Sequence, residues 1–319
     1  MSKLLEKFSR KLWSNPQQQQ EFISALTDPQ PLHPCILWLK KGASLSPFAP
    51  LSPLPWQLPF IDRLGLNERP GKHPLHQQGA YYCLDFSSVF AASVLTNIDH
   101  EPKIVIDLCA APGGKSILAW KILQPNLLLS NEVIGKRVGL LIDNLRRCRI
   151  HPVKVFSADT KVLADNVPLW ADVVLVDAPC TGQSLLAKGG KAPGCFHPVS
   201  IKHNVKRQKR ILGNAAQLVA PGGYLVYMTC AFSKAENESV CAWLTRRFPQ
   251  FVPQAVPLLK DFQSHLTDMP CYRMWPQSRL GAGAFTAIFQ SGQDRLSRHP
   301  DPGAWLEQGC RWDSERDLR

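Results

Sequence analysis

Beyond Glu101 the chain alternates short runs of β-branched and other apolar residues with longer stretches in which apolar positions recur at helical spacing. A run with no polar alternation suits a strand buried on both faces, and such strands belong to parallel sheets covered by helices. The pattern predicts strands at 103–108, 126–131, 153–157, 172–177 and 224–229, and helices at 114–122, 134–147, 200–219 and 235–248. A later run at 284–290 predicts an antiparallel edge strand. The expected class is α/β: a Rossmann-like, mostly parallel twisted sheet with an antiparallel edge strand, preceded by a small N-terminal region.

That N-terminal region reads differently. Leu4, Leu5, Phe8 and Leu12 share helical spacing among basic residues, which predicts a helix packed on the protein surface rather than a membrane anchor. Prolines recur between residues 46 and 59, so that stretch should be a looped connector outside the core. The resulting division is a helical and Pro-rich extension at 1–78, a candidate small RNA-binding region; a catalytic domain at 79–291; and a charged tail at 292–319.

Composition narrows the function. A chain of 319 residues with 45% hydrophobic and 19% charged side chains can bury a large core. Its 37 basic and 25 acidic residues leave a net charge of +12, which favours polyanionic partners. No stretch has the length and apolarity of a secretory signal or a membrane span, so a cytoplasmic monomer with no membrane partner is expected. The ten cysteines are scattered without Cys-x-x-Cys spacing and should be reduced. His73, His76 and Cys83 find no suitably spaced fourth ligand, so no metal is expected.

In an open parallel sheet the ligand lies at the carboxyl ends of the strands. After the first predicted strand the chain reads Asp107-Leu108-Cys109-Ala110-Ala111-Pro112-Gly113-Gly114-Lys115-Ser116, small residues that let a ligand approach the backbone where a helix begins. Cys109 occupies the first glycine position of a phosphate-binding P-loop, and the Gly-x-Gly-x-x-Gly of dinucleotide sites is absent, which leaves a nucleoside-type cofactor. Glu132 ends the second strand, roughly 20–25 residues after the turn, where a carboxylate can accept hydrogen bonds from both ribose hydroxyls. Asp159, past the third strand, is suitably placed for adenine. Each acid alone could equally cap a helix; together at one sheet edge they favour S-adenosylmethionine.

The fourth and fifth strands end in Asp177-Ala178-Pro179-Cys180-Thr181-Gly182 and Tyr227-Met228-Thr229-Cys230, so adjacent strands should deliver two cysteines to one crevice. A thiolate adding to carbon 6 of cytosine makes an enamine whose carbon 5 can attack a methyl sulfonium, and Asp177 near ring nitrogen 3 could stabilise the developing charge. A basic run follows the Cys180 loop: Lys188, Lys191, Lys202, Lys206 and Arg207, with Lys209 and Arg210. It fits phosphate contacts that orient RNA around an unstacked base. An earlier cluster, Lys136, Arg137, Arg146, Arg147, Arg149 and Lys154, fits RNA or a solvated helix face equally.

These motifs, with Glu236-Asn237-Glu238, Ser130-Asn131-Glu132 plus Arg137, the block from Arg207 to Leu212 before Pro221-Gly222-Gly223, and Arg273-Met274-Trp275-Pro276, resemble those of the Sun/nucleolar-protein family of RNA cytosine-5 methyltransferases. The resemblance spans about 79–290. It implies a class I methyltransferase fold, an RNA substrate (ribosomal or transfer RNA) and S-adenosylmethionine as cofactor. It also implies Cys230 as nucleophile and Cys180 as the group that assists product release. It assigns cofactor contact to residues 109 through 115, Glu132, Arg137, Asp159 and Asp177, the last touching the base as well. The chain departs from the usual pattern at Leu84-Asp85, at Ser184 and at Gly281-Ala282-Gly283-Ala284. A methyltransferase for a non-RNA acceptor, or a catalytically silent RNA-binding or assembly factor, are the alternative readings.

Overall fold

The computed structural model describes residues 3–39, 46–292 and 302–317. Its elements, in chain order, are α1 (Lys3–Leu12), α2 (Pro16–Thr27), β1 (Cys35–Trp38), β2 (Ile61–Arg63), α3 (Pro74–Gln77), β3 (Tyr81–Leu84) and α4 (Phe86–Ala92). There follow β4 (Ile104–Asp107), α5 (Gly114–Leu123), β5 (Leu127–Asn131), α6 (Gly135–Arg147), β6 (Val153–Phe156), α7 (Thr160–Asn166) and β7 (Ala171–Asp177). The remainder is α8 (Pro198–Leu218), β8 (Val219–Thr229), α9 (Glu238–Arg247), β9 (Phe251–Pro253), β10 (Tyr272–Met274), β11 (Ala284–Ser291), α10 (Trp305–Gln308), β12 (Cys310–Asp313) and α11 (Ser314–Asp317).

The main sheet runs β10-β11-β8-β7-β4-β5-β6-β12, with β9 also pairing to β11. The five strands from β8 to β6 are mutually parallel, as the continuous apolar runs predict. Successive residues of a strand face opposite ways, and here both ways lead into core. Val105, Val173 and Leu175 pack with Ile117, Leu118 and Leu141 of α5 and α6. Their neighbours Ile106, Val174 and Val176 pack with Leu163, Leu212 and Leu244 of α7, α8 and α9.

Four expectations require correction. The run at 284–290 does form an antiparallel strand, but β11 is interior, with β8 on one side and β10 and β9 on the other. The boundary at 78/79 cuts a second, antiparallel sheet, β2-β1-β3, because Tyr81–Leu84 pairs with β1. Residues Cys35, Leu37 and Ile61 of that sheet share a core with β4 and α5, while Ile36, Trp38, Phe48 and Leu64 pack with Ala80 and Tyr81 across the boundary. The connector at 46–59 carries no repeating structure, yet Trp56 stacks 4.7 Å from Phe86 and belongs to the same core. Residues 310–313 of the expected tail form β12 on the edge of β6, with Trp312 buried and the Asp313 carboxylate paired to Lys154; residues 293–301 lie outside the described residues.

Gly79, immediately before β3, has φ +68°, and a Cβ there would lie 1.8 Å from the Arg147 carbonyl oxygen. Gly79→Ala should therefore lower stability by more than about 1 kcal/mol, read as a lower unfolding midpoint; an unchanged midpoint would contradict the close approach.

Candidate active site

The order β6-β5-β4-β7-β8 reverses direction of progress at β4, and the crevice at such a switch point is where an α/β sheet binds its ligand. On the β6, β5 and β4 side the strand ends carry Asp159, Glu132 and the turn from Cys109 to Lys115. On the β7 and β8 side they carry Asp177, Cys180 and Cys230.

The turn after β4 is shaped from beneath. Asp107 is fully buried and accepts hydrogen bonds from the Ser116 hydroxyl (2.6 Å) and the Cys109 amide (3.2 Å). Burial pushes its carboxyl up to about 6 even though the Ser116 bond opposes the shift. Gly113, with φ +112°, provides the left-handed residue that starts α5. Arg137 donates to the Ala111 carbonyl and lies 3.2 Å from Glu132, so it ties the turn to the end of β5. Glu132 is 3% exposed; one carboxylate oxygen accepts the Ile134 amide at 2.9 Å, whereas Oε2 is buried with no aligned hydrogen bond. An acceptor held this way is suited to incoming hydroxyl donors. Asp159 caps α7 through the Lys161 amide (2.9 Å) and pairs with Arg210 (3.3 Å).

Across the crevice, Cys180 Sγ and Cys230 Sγ are 3.1 Å apart. Lys115 Nζ lies 2.6 Å from Asp177 Oδ2. Burial works against the Lys115 charge, but Asp177 outweighs it, so the ammonium is held more firmly than an ordinary lysine's. The two thiols are driven apart in acidity. Cys180 is pushed well above the usual thiol value because it donates to Cys230 and is buried. Cys230 is held below the usual value by that same hydrogen bond, with help from the Ser184 hydroxyl and the Lys115 charge against the opposing effects of burial and Asp177. Cys230 is thus the more acidic thiol of the pair and Cys180 the one that holds its proton more firmly.

Further polar residues hold the two loops, and sequence reasoning did not single out their roles. Glu236 accepts from the Thr181 amide (2.9 Å), the Thr181 hydroxyl (2.8 Å) and Gln208 Nε2 (3.2 Å). Gln183 Oε1 accepts the Phe232 and Ser233 amides (2.6 and 3.1 Å), while its amide group donates to the Cys195 carbonyl. The Ser184 amide donates to the Cys230 carbonyl at 3.1 Å. The available signal was weak: glutamines amid small or apolar residues near a cysteine.

The positions at which the chain departs from the usual pattern meet in space. Asp85 caps α4, lies 2.9 Å from Lys188 in the Cys180 loop, and accepts the Ala282 amide at 3.3 Å. Lys188 is therefore engaged in an ion pair, whereas Lys191, Lys202 and Lys206 are exposed. Arg207 is half-buried, donates to Asn204 at 2.7 Å, and its charge reaches both Glu236 and Cys109, so it faces the crevice more than the helix exterior. In the earlier basic cluster Lys154 is buried against Asp313, and Arg147 binds the His76 carbonyl at 2.7 Å, which makes those two structural.

Comparison with known proteins accords with this geometry. Ribosomal RNA small subunit methyltransferase F of Escherichia coli O139:H28 is 32% identical over 250 residues, covering 76% of this chain and 52% of that protein. The Enterobacter sp. protein of the same name is 34% identical over 227 residues, covering 70% and 47%. The chain thus spans about half the length of these curated relatives. Among solved structures, NSun6 from Pyrococcus horikoshii with SFG superposes with a TM-score of 0.77 at 16% identity, covering 92% of this chain and 99% of that one, a likeness of fold. A methyltransferase homolog protein from Pyrococcus horikoshii gives 0.73 at 25% identity, covering 91% and 95%. The family model for 16S rRNA methyltransferase RsmB/F matches residues 92–290, which include every strand end described above, and the chain belongs to that family.

Proposed function

We propose that the protein is an S-adenosylmethionine-dependent RNA methyltransferase that forms 5-methylcytosine through a covalent cysteine–base adduct, working as a cytoplasmic monomer. The relatives' names favour ribosomal over transfer RNA as substrate. The carrying observation is the pair of thiols at adjacent strand ends, 3.1 Å apart, with Cys230 the more acidic of the two.

Residues 109 through 115, Glu132, Arg137, Asp159 and Asp177 would hold the cofactor, with the buried Oε2 of Glu132 receiving ribose hydroxyls. When bound, S-adenosylmethionine supplies an electrophilic methyl group. The Cys230 thiolate forms a bond to carbon 6 of cytosine, and the former 5,6-double-bond pair makes carbon 5 nucleophilic. Asp177, kept in place by Lys115, lies on the β7 side, where it can meet ring nitrogen 3 as charge develops there. After carbon 5 is methylated, a base must take up its proton; the C–H pair re-forms the 5,6-double bond and the Cys230–carbon 6 bond breaks with its pair returning to sulfur, Cys180 assisting that release. Lys191, Lys202 and Lys206 would contact phosphates; Lys188 would act from within the Cys180 loop and Arg207 from α8 at the edge of the crevice.

The direct test supplies unmethylated small-subunit RNA and radiolabelled S-adenosylmethionine, then digests the RNA to nucleosides. Label in 5-methylcytidine is the expected result; label on another nucleoside, or none, would overturn the reading. Glu132→Gln should weaken S-adenosylmethionine binding by about 10- to 100-fold, the scale of hydrogen bonds to a charged acceptor, measured by calorimetry. Unchanged affinity would remove Glu132 from the ribose site.

A further inference from the structure

Outside the crevice, a groove of about 760 Å³ lies between α1, the first turns of α8 and the loop that follows Cys230. Its rim carries Lys7, Arg10, Lys11, Lys202 and Lys234, all exposed, and no carboxylate lines it. None of the five forms an ion pair with another described residue. Its floor is apolar, with Phe196, Ile201 and Val205 left partly exposed.

Position links this groove to the chemistry. Ser233 and Lys234 lie in its wall, three and four residues beyond Cys230. The Ser233 amide is bonded to Gln183, three residues beyond Cys180. The N-terminal hairpin is seated against the same loops: Phe8 packs 4.9 Å from Phe196, and Phe22 packs 5.3 Å from Phe232. Helix α1 lies outside the stretch matched by the family model.

We propose that this groove binds the single-stranded RNA flanking the target cytosine, with α1 supplying the outer rail of phosphate contacts. The inference rests on the RNA-methyltransferase reading. Five cations on a rim whose described lining residues include no carboxylate suit a phosphate backbone, and an apolar floor between them suits bases that are not hidden in a duplex. A target base must be single-stranded or flipped from its stack to reach Cys230 inside the crevice, and the exposed apolar floor beside the Cys230 loop suits the single-stranded case, in which the flanking bases are unpaired too.

The test is fluorescence anisotropy with a labelled single-stranded RNA of about 12 nucleotides, using the full chain and its variant Lys7→Glu/Arg10→Glu/Lys11→Glu. The variant should bind at least about tenfold more weakly near 0.1 M salt, and the slope of log affinity against log salt should shrink by about two. A second variant, Lys202→Glu/Lys234→Glu on the opposite wall, should lose affinity in the same direction, which keeps the test available if α1 tolerates charge reversal poorly. Unchanged affinity and slope in both folded variants would overturn the proposal, as would stronger competition by polyglutamate of matched charge than by RNA. In a Cys180→Ala background the two readings separate. Covalent RNA formed equally well by the charge-reversed chain would sink the groove and leave the methyltransferase reading standing. Groove-dependent RNA binding with no adduct and no methylation would do the opposite.

Discussion

Cys230→Ala should lower methyl transfer by at least about 10⁴-fold, the scale on which loss of a covalent nucleophile is felt, and no RNA should remain attached under denaturing conditions. Cys180→Ala should behave differently: the base can still be attacked, but release is impaired, so the protein accumulates as a covalent RNA adduct resolved on a denaturing gel. This asymmetry is expected from the 3.1 Å contact between the two thiols, in which Cys230 is the more acidic and Cys180 the less acidic partner. The pH dependence carries a sign. A thiol held below its ordinary value is ionised at lower pH, so the rate rises with pH and levels off before the range of a free cysteine. Removing the Cys180 donor deprives the thiolate of its leading stabilisation, so adduct formation by Cys180→Ala should shift to higher pH. Sequencing the retained RNA would identify the target cytosine. Loss of activity in both variants with RNA retained by neither would contradict the division of labour.

The largest stability effect is expected at Glu238. Its carboxylate receives Arg273 through two hydrogen bonds, at 2.5 and 2.6 Å, and the Ser264 hydroxyl at 2.6 Å, with both charged side chains only 2% exposed. Arg273 also donates to the Phe232 carbonyl at 3.1 Å and lies 4.6 Å from the Trp275 ring, so the pair braces the loop that follows Cys230. Glu238→Ala leaves a buried guanidinium without its counter-charge, which should cost about 3–5 kcal/mol, measured from the urea unfolding midpoint. The double variant Glu238→Leu/Arg273→Met removes both charges and should lose less than the single one, because no uncompensated ion remains. A single variant within about 1 kcal/mol of the parent would show that the pair is solvated in the folded protein.

The parallel strands were legible because each is buried on both faces and is written as an unbroken apolar run, as in Ala171–Asp177. The small sheet was not. β1 and β2 are four and three residues long and lie on either side of a Pro-rich stretch, so periodicity has almost nothing to work on. β12 was read as charged tail because its Asp313 is buried against Lys154, a partner 159 residues away in sequence. The edge assignment of 284–290 failed for a related reason: β9 and β10 are three-residue strands that announce themselves only by pairing.

At the site, the sequence by itself determined which residue types stand at which strand ends: the small-residue turn after β4, the acid after β5, and a cysteine after each of β7 and β8. Strand order in a doubly wound sheet then implies that they converge. Tertiary structure alone decided what each group is doing. It brought the two thiols into one hydrogen bond that separates their acidities, tied Lys188 to Asp85 and Lys115 to Asp177, and used Asp159 to cap α7. Local patterning records whether a residue must be buried. Charge state and partnership depend on atoms that come together across tens to hundreds of residues, where burial and Coulomb interactions compete within a few ångströms.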